Sequence, residues 1–290
     1  MKGQILKALS GFYYVKYEDR LIECKARGNI RKGNGLPLTG DYVEFTSENF
    51  KTGTIETVYE RKNSFIRPSV ANVDCFIFVA SDSVPVTDPY LIDRLSVIAL
   101  KSGCEFVLCV NKCDLTDGSE LFSLYKNLNF PLFVTSAVNG EGIDSLVSYI
   151  KGKTCVLTGN SGVGKSSILN SVSPDFLIPI GEISEKLGRG KHTTRHVQLY
   201  DIGENTLVAD TPGFASFDIT MVSDIDKDEL KTLFPEFAEF ECNCRYPDCM
   251  HINEPFCGVK TAVSNGEIPE SRYDSYIRLY AILKEHKSWD

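Results

Sequence analysis

The 290-residue sequence predicts three parts in series: a small closed β-barrel of the OB type, a doubly wound α/β domain in circularly permuted order, and a helical metal-binding domain. Two motifs and a change of rhythm predict this. Gly159-Asn160-Ser161-Gly162-Val163-Gly164-Lys165-Ser166 fits the phosphate loop GxxxxGK[ST], and Asn111-Lys112-Cys113-Asp114 fits the guanine-recognition element NKxD. In an unpermuted nucleotide-binding domain of this kind the phosphate loop comes first; here NKxD precedes it. Around residue 70 the chain changes from short alternating strands to near-continuous apolar strands separated by helices, the pattern of a parallel sheet covered on both faces.

Residues 1–66 are expected to form the barrel. Gly11–Val15, Leu21–Ala26, Asp41–Phe45 and Gly53–Val58 are rich in β-branched and aromatic residues and are separated by Gly-rich turns, which fits about five strands. This segment has 11 Lys and Arg against 8 Asp and Glu, a net of +3. A basic loop at 27–35 beside Phe12, Tyr13 and Tyr14 combines charge for phosphates with rings for bases. A solvated loop beside core aromatics is an equal reading of the same residues.

Residues 67–215 are expected to form the α/β domain. Strands are predicted at Val73–Ala80, Phe106–Val110, Leu132–Val134 and Thr154–Leu157. Helices are predicted at Asp88–Lys101, capped by Thr87 or Asp88, and at about 119–128, 141–150 and 165–172. Lys151-Gly152-Lys153 is the short join that the permutation requires, because domain termini often lie close together. Residues 216–290 carry 8 basic against 15 acidic residues, a net of −7, and are predicted helical at Asp224–Leu233 and Pro269–Lys287. The stripe Tyr273, Tyr276, Ile277 and Tyr280 at helical spacing reads as packing.

The chemistry follows from residue types at these spacings. Glycines let backbone N–H groups of Gly159, Asn160, Ser161, Gly162, Val163 and Gly164 turn towards phosphates. Lys165 reaches the β and γ oxygens, Ser166 ligands Mg²⁺, and Ser167 continues the loop into a helix. Asp114 can accept from guanine N1–H and the 2-amino group, Asn111 can bond O6 and N7, and the Lys112 stem can lie along the ring. Cys113 sits between them, and Thr135-Ser136-Ala137 after a later strand completes the base site. Asp210 ends the apolar run Leu207–Ala209 and suits a carboxylate that holds Mg²⁺ through water, with the Gly213 N–H meeting the γ-phosphate. In Gly188–His196 both Thr193 and Thr194 can ligand Mg²⁺; Thr194 takes the assignment while Thr193 stays open. Phe214 stands where Ras-like proteins place the Gln that orients water, so intrinsic turnover is expected to be slow. His196 or His192 can substitute, and a solvated loop histidine is the alternative.

Cys244-x₄-Cys249-x-His251-x₅-Cys257 supplies three thiolates and one imidazole within 14 residues, a closed set for one tetrahedral Zn²⁺, with Cys242 spare. Metal is expected to order this loop, which has few apolar residues of its own. The other six cysteines (Cys24, Cys75, Cys104, Cys109, Cys113, Cys155) are scattered as small core residues are. No apolar run reaches the roughly 18 residues of a membrane span, and nothing at Met1–Ile5 reads as a secretion signal. The acidic total, pI ≈ 5.2, argues against indiscriminate nucleic-acid binding.

Taken with Gly11, Tyr14, Arg27-Gly28 and Arg67–Asp74, the motifs NKCD, GNSGVGKSS, GRGKHTTRH, DTPGF and C-x₄-C-x-H-x₅-C resemble those of circularly permuted GTPases of the RsgA type, which act in maturation of the bacterial small ribosomal subunit. The resemblance covers nearly the whole chain. It implies a cytoplasmic, monomeric GTP hydrolase that binds GTP or GDP, Mg²⁺ and one structural Zn²⁺. It also implies the small subunit and its rRNA as partner and stimulator, with neither membrane nor DNA. Since the second switch runs straight into the zinc domain, that domain is expected to follow the nucleotide state. The barrel is expected to supply affinity without sensing the nucleotide directly.

Overall fold

The computed structural model describes residues 1–28, 30, 36–66, 69–172, 197–210 and 225–286, with side chains omitted at Ile66, Asp210 and His286. The first part is a closed barrel of β1 (Lys2–Leu9), β2 (Phe12–Tyr17), β3 (Arg20–Ala26), β4 (Tyr42–Thr46) and β5 (Thr52–Val58) in the order β1-β2-β3-β5-β4. All pairs are antiparallel except β3 with β5, and β4 closes on β1, an OB-like arrangement. Alternation places Ile5, Val15, Ile22, Val43, Phe45 and Ile55 inside. Of the three aromatics at the second strand, Tyr13 belongs to this core at 5 % exposure, while Phe12 and Tyr14 are half-buried. β1 was not anticipated from the sequence: its inward Gly3 and Ile5 are separated by polar residues that leave too few apolar positions for a clear alternation.

A two-stranded hairpin, β6 (Ser64–Ile66) and β7 (Ser69–Ala71), follows the barrel. Its Phe65 and Val70 pack into the core of the next domain. That domain is a sheet of β8 (Cys75–Ala80), β9 (Glu105–Val110), β10 (Leu132–Val134), β11 (Thr154–Thr158), β12 (Leu199–Asp201) and β13 (Leu207–Asp210). The order is β10-β9-β8-β11-β13-β12, parallel throughout except for the edge strand β12. The strand that feeds the phosphate loop, β11, therefore sits between β8, which precedes it, and β13, which follows it. The circular permutation is visible in that order.

Both faces of β8 are buried, which explains its unbroken apolar run. Phe76, Phe78 and Ala80 point towards α1 (Pro89–Lys101) and α2 (Ser119–Tyr125), with Ile92, Leu95, Leu121 and Tyr125 in the same cluster. Cys75, Ile77 and Val79 face α3 (Ile143–Ile150) and α4 (Lys165–Val172). The Asp88 carboxylate caps α1 by accepting from Tyr90 N at 2.9 Å, and Pro89 fills the first turn. The join at 151–153 is a tight turn, held where the Gly152 N–H donates to Thr206 Oγ1 at 2.9 Å.

In the last part, Leu230–Leu233 and Pro235–Phe237 are 3₁₀ turns, followed by the short α5 (Ala238–Glu241), α6 (Gly258–Ser264) and α7 (Glu270–His286). The α-helix expected over Asp224–Leu233 is thus, in its described portion, a 3₁₀ turn that Phe234-Pro235 brings to an end. Its core joins Phe234, Phe237, Tyr276, Leu279 and Leu283 with Val97 from the opposite side of α1. One helix of the α/β domain thereby serves two cores.

The seam carries a buried charge network. Arg272, 1 % exposed, donates from Nε to Glu236 Oε1 at 2.7 Å and from a guanidinium nitrogen to Asp93 Oδ1 and Ser96 Oγ, both at 2.9 Å. Tyr125 Oη donates to the same Asp93 oxygen at 2.9 Å, and Phe234 lies 4.3 Å beneath the guanidinium. Burial pushes the Asp93 carboxyl above its ordinary range despite this company.

Candidate guanine-nucleotide and metal sites

The nucleotide motifs converge at the carboxyl ends of β8, β9, β10, β11 and β13, where a parallel sheet binds its ligands. Two phosphate-loop glycines are dictated by close approaches. Gly159 has φ +131° and a Cβ there would lie 2.2 Å from the Val79 carbonyl oxygen; Gly164 has φ +100° and its Cβ would lie 2.3 Å from Asn111 Nδ2. Between them Val163 is buried, while Ser161 and Gly162 are exposed and Asn160, Ser166 and Ser167 are half-buried. Lys165 Nζ donates to the carbonyls of Gly159 and Asn160 at 2.9 and 2.7 Å, so its charge is held over the loop.

Asn111, whose side chain is expected to meet the base, also has partners within the protein. Its side chain is 3 % exposed. Nδ2 donates to the Val163 carbonyl at 2.9 Å, and Oδ1 accepts from Ala137 N and Thr135 Oγ1, both at 3.2 Å. The amide thereby ties the phosphate loop to the Ser136-Ala137 loop, and one of its two N–H groups donates in that tie. Thr135, the first residue of the segment paired with NKxD, is wholly buried and supports Asn111 from behind. Asp114 is exposed, with Ser136 Oγ donating to its Oδ1 at 2.7 Å and Asn139 N donating in turn to Ser136 Oγ at 3.2 Å. This chain orients the carboxylate while leaving it accessible. Lys112 has φ +71°, and its Nζ donates to the Val84 carbonyl at 2.7 Å. Cys113 Sγ lies 3.6 Å from Glu141 Oε2, at the rim of the same site.

Asp210 is placed by the backbone at the end of β13, beside Leu157 of β11. Thr193, Thr194, His192, His196, Gly213 and Phe214 lie outside the described residues.

The second site lies in the last part. Ligand atoms of Cys244, Cys249, His251 and Cys257 all fall within 4.8 Å of one another. His251 Nδ1 faces Cys257 Sγ at 3.3 Å and Cys244 Sγ at 3.7 Å. The other ring nitrogen, Nε2, faces Glu241 Oε1 at 3.1 Å, the outer partner that orients a ligating imidazole. Glu241 was missed because nothing in its spacing distinguishes it from neighbouring acids. Cys242 is exposed and stands outside the cluster. This Cys₃His set can hold a metal ion. The loop has further contacts around the cluster: Tyr276 Oη donates to the Met250 carbonyl and Tyr273 Oη to that of His251, both at 2.6 Å, and Phe237 packs edge-on against the imidazole.

A permuted α/β sheet with a phosphate loop, a guanine-recognition element and an OB-like barrel in front defines the class: a circularly permuted GTPase. Family models agree, RsgA GTPase matching residues 58–220 and RsgA N-terminal domain residues 2–55. A curated relative from Alkaliphilus metalliredigens, "Small ribosomal subunit biogenesis GTPase RsgA", is 41 % identical over 99 % of both chains. The crystal structure of YjeQ from Thermotoga maritima is 38 % identical with a TM-score of 0.80, covering 97 % of this chain and 98 % of that one. A structure titled as that of YloQ, a circularly permuted GTPase, is 36 % identical with a TM-score of 0.79 over 98 % and 95 %. The chain belongs to the RsgA GTPase family, and it is a GTP hydrolase.

Proposed function

We propose that this GTPase binds the small ribosomal subunit through its rRNA, assists the late maturation of that subunit, and turns over faster when bound to it. The observation that carries the reading is the full-length likeness to relatives named for small ribosomal subunit biogenesis. The barrel surface supports an RNA partner. Lys25 lies 5.0 Å from the Phe12 ring, Arg20 4.8 Å from Phe50 and Lys2 4.8 Å from Tyr59, so cations and ring faces occur together on it. Among the described residues no helix is long and apolar enough to cross a membrane. The protein is read as cytoplasmic and monomeric, with no role on DNA.

Within the nucleotide site, Gly159, Asn160, Ser161, Gly162, Val163, Gly164, Lys165, Ser166 and Ser167 hold the phosphates. Asn111, Lys112, Cys113 and Asp114 with Ser136 and Ala137 form the base site, and Asn111 also locks the two halves together. Ser166 and Thr194 are assigned to Mg²⁺, which when bound neutralises charge shared by the β- and γ-phosphates. Asp210 holds the metal's water, Gly213 meets the γ-phosphate, and His196 is assigned to the attacking water. The ligand set Cys244, Cys249, His251 and Cys257 is assigned to one structural Zn²⁺, because three thiolates and one imidazole fill a tetrahedron.

The decisive measurement is phosphate release with small subunits, large subunits or free rRNA. Small subunits are expected to raise turnover at least about tenfold, below the roughly 10³–10⁵ supplied by an arginine finger. Binding is expected to be tight with a non-hydrolysable GTP analogue, weaker with GDP, and to fall steeply between about 50 and 200 mM salt. Nucleotide-independent binding without acceleration overturns the ribosomal reading while leaving the GTPase intact. Metal analysis tests the other site. Wild type is expected to hold one zinc per chain, Cys242→Ala to keep it and Cys249→Ala to lose it; the reverse pattern refutes the ligand set.

A further inference from the structure

Among the described residues, one contact between the barrel and the sheet edge of the nucleotide domain is buried and polar. Thr39, in the loop between β3 and β4, is 2 % exposed, and its hydroxyl donates to the Val197 carbonyl at 3.2 Å. The loop cannot easily yield. Ala71 N donates to the Thr39 carbonyl at 2.8 Å, Gly40 N to the Ile5 carbonyl at 2.7 Å, and Asn72 Nδ2 to the Gly40 carbonyl at 3.0 Å. Next to it the fully buried Asp41 accepts from Arg61 Nε and a terminal guanidinium nitrogen, both at 2.7 Å. Two further ties run from the barrel to the same edge. Lys7 forms a bridge with Gln198, and Lys16 pairs with Asp201.

Strand register shows which end of the sheet is held. β12 runs antiparallel to β13, with Leu199 opposite Ala209. Val197 and Gln198, just before β12, therefore lie at the end where β13 delivers Asp210. The base and phosphate-loop contacts lie instead on the β8, β9 and β11 side of the sheet. The barrel thus braces the edge next to Asp210, away from the base and phosphate-loop contacts.

We propose that Thr39 is a positioning residue for GTP hydrolysis: through Val197, and with Lys16–Asp201 as a second brace, the barrel fixes the β12–β13 hairpin that presents Asp210. The barrel is then a direct participant in turnover, through a route that domain order along the chain does not suggest. The inference rests on the assignment of Asp210, and the test separates the two.

The test measures kcat and KM for GTP, without ribosomes, in Thr39→Val, Thr39→Ser and Asp210→Ala, with thermal melts in parallel. Valine keeps the shape and removes the donor; serine keeps the donor. Thr39→Val is expected to lower kcat about five- to tenfold, the worth of one ordinary hydrogen bond, with KM within about twofold and Thr39→Ser near wild type. Unchanged kcat in a folded Thr39→Val, or a serine variant as slow as the valine one, overturns the inference. Asp210→Ala with undiminished turnover instead refutes the assignment of Asp210. Should Thr39→Val fail to fold, the charge swap decides. Lys16→Asp is expected to slow turnover and Lys16→Asp/Asp201→Lys to restore it, whereas equal rates in all three proteins reject the brace.

Discussion

Changing Asp114 to Asn is expected to lower GTP affinity by about 10²–10³ and to improve binding of xanthosine triphosphate. Asp114 is exposed, and its Oδ1 is fixed by Ser136 Oγ at 2.7 Å. A carboxylate in this position accepts from both N1–H and the 2-amino group of guanine. Charge-assisted hydrogen bonds are worth about 1.5–3 kcal/mol each, and asparagine keeps one accepting oxygen, so losing one such bond and weakening the other places the effect in that range. Asparagine offers a donor where xanthine carries a carbonyl. Wild type is expected to prefer GTP over ATP by roughly 10⁴–10⁵, as sites built on buried hydrogen bonds do. Equal affinity for ATP and GTP, measured by competition against a fluorescent GDP analogue, removes the basis of the assignment. Ser136→Ala gives a graded version: the carboxylate remains but loses the hydroxyl that orients it, so a smaller loss is expected.

The second large effect lies at the seam between the last two parts of the molecule. Arg272→Met keeps most of the volume but leaves Asp93 and Glu236 buried without their shared cation. Breaking a buried ion pair from one side costs about 3–5 kcal/mol, which urea unfolding can resolve. The sign with pH follows from Asp93. Burial raises its folded-state pKa, so only between the ordinary and the raised value does the folded chain hold a proton that the unfolded chain has released. The stability this group contributes is full below its ordinary value of about 3.9 and is lost as pH rises through the raised folded value. Removing the cation raises that value further, so the penalty of Arg272→Met is expected to be larger at pH 8 than at pH 5. Adding Asp93→Asn and Glu236→Gln is expected to recover much of the loss, because neutral amides do not need the cation. A cost below about 1 kcal/mol at pH 8 would mean the network contributes little to the fold.

The nucleotide and metal motifs were legible in the sequence because their chemistry is local. The phosphate loop requires glycines and a lysine within eight residues, and a Cys₃His set within one loop can close on a single ion without knowledge of the rest of the fold. The order of NKCD before GNSGVGKS was enough to reveal the permutation, and the sheet order follows from it: β11 must insert between strands that precede and follow it. The apolar runs at β8, β9 and β11 were readable because a strand covered on both faces has no polar side to confuse the pattern. β1 was not readable, since only some of its inward positions are apolar.

Tertiary structure decided the roles that depend on distant partners. Asn111 carries the right side chain for a base, and only the fold shows that the same amide also meets a phosphate-loop carbonyl 52 residues away. Arg272 is one arginine on a helix until Asp93, 179 residues earlier, is brought beside it. Thr39 looks like a turn residue, and only the antiparallel return of β12 brings Val197, 158 residues later, to its hydroxyl. The physical reason is common to all three. A side chain's chemistry is set by its type, but a buried polar group takes whichever partner the fold brings within about 3 Å, because leaving it unpaired costs more than the bond itself gains.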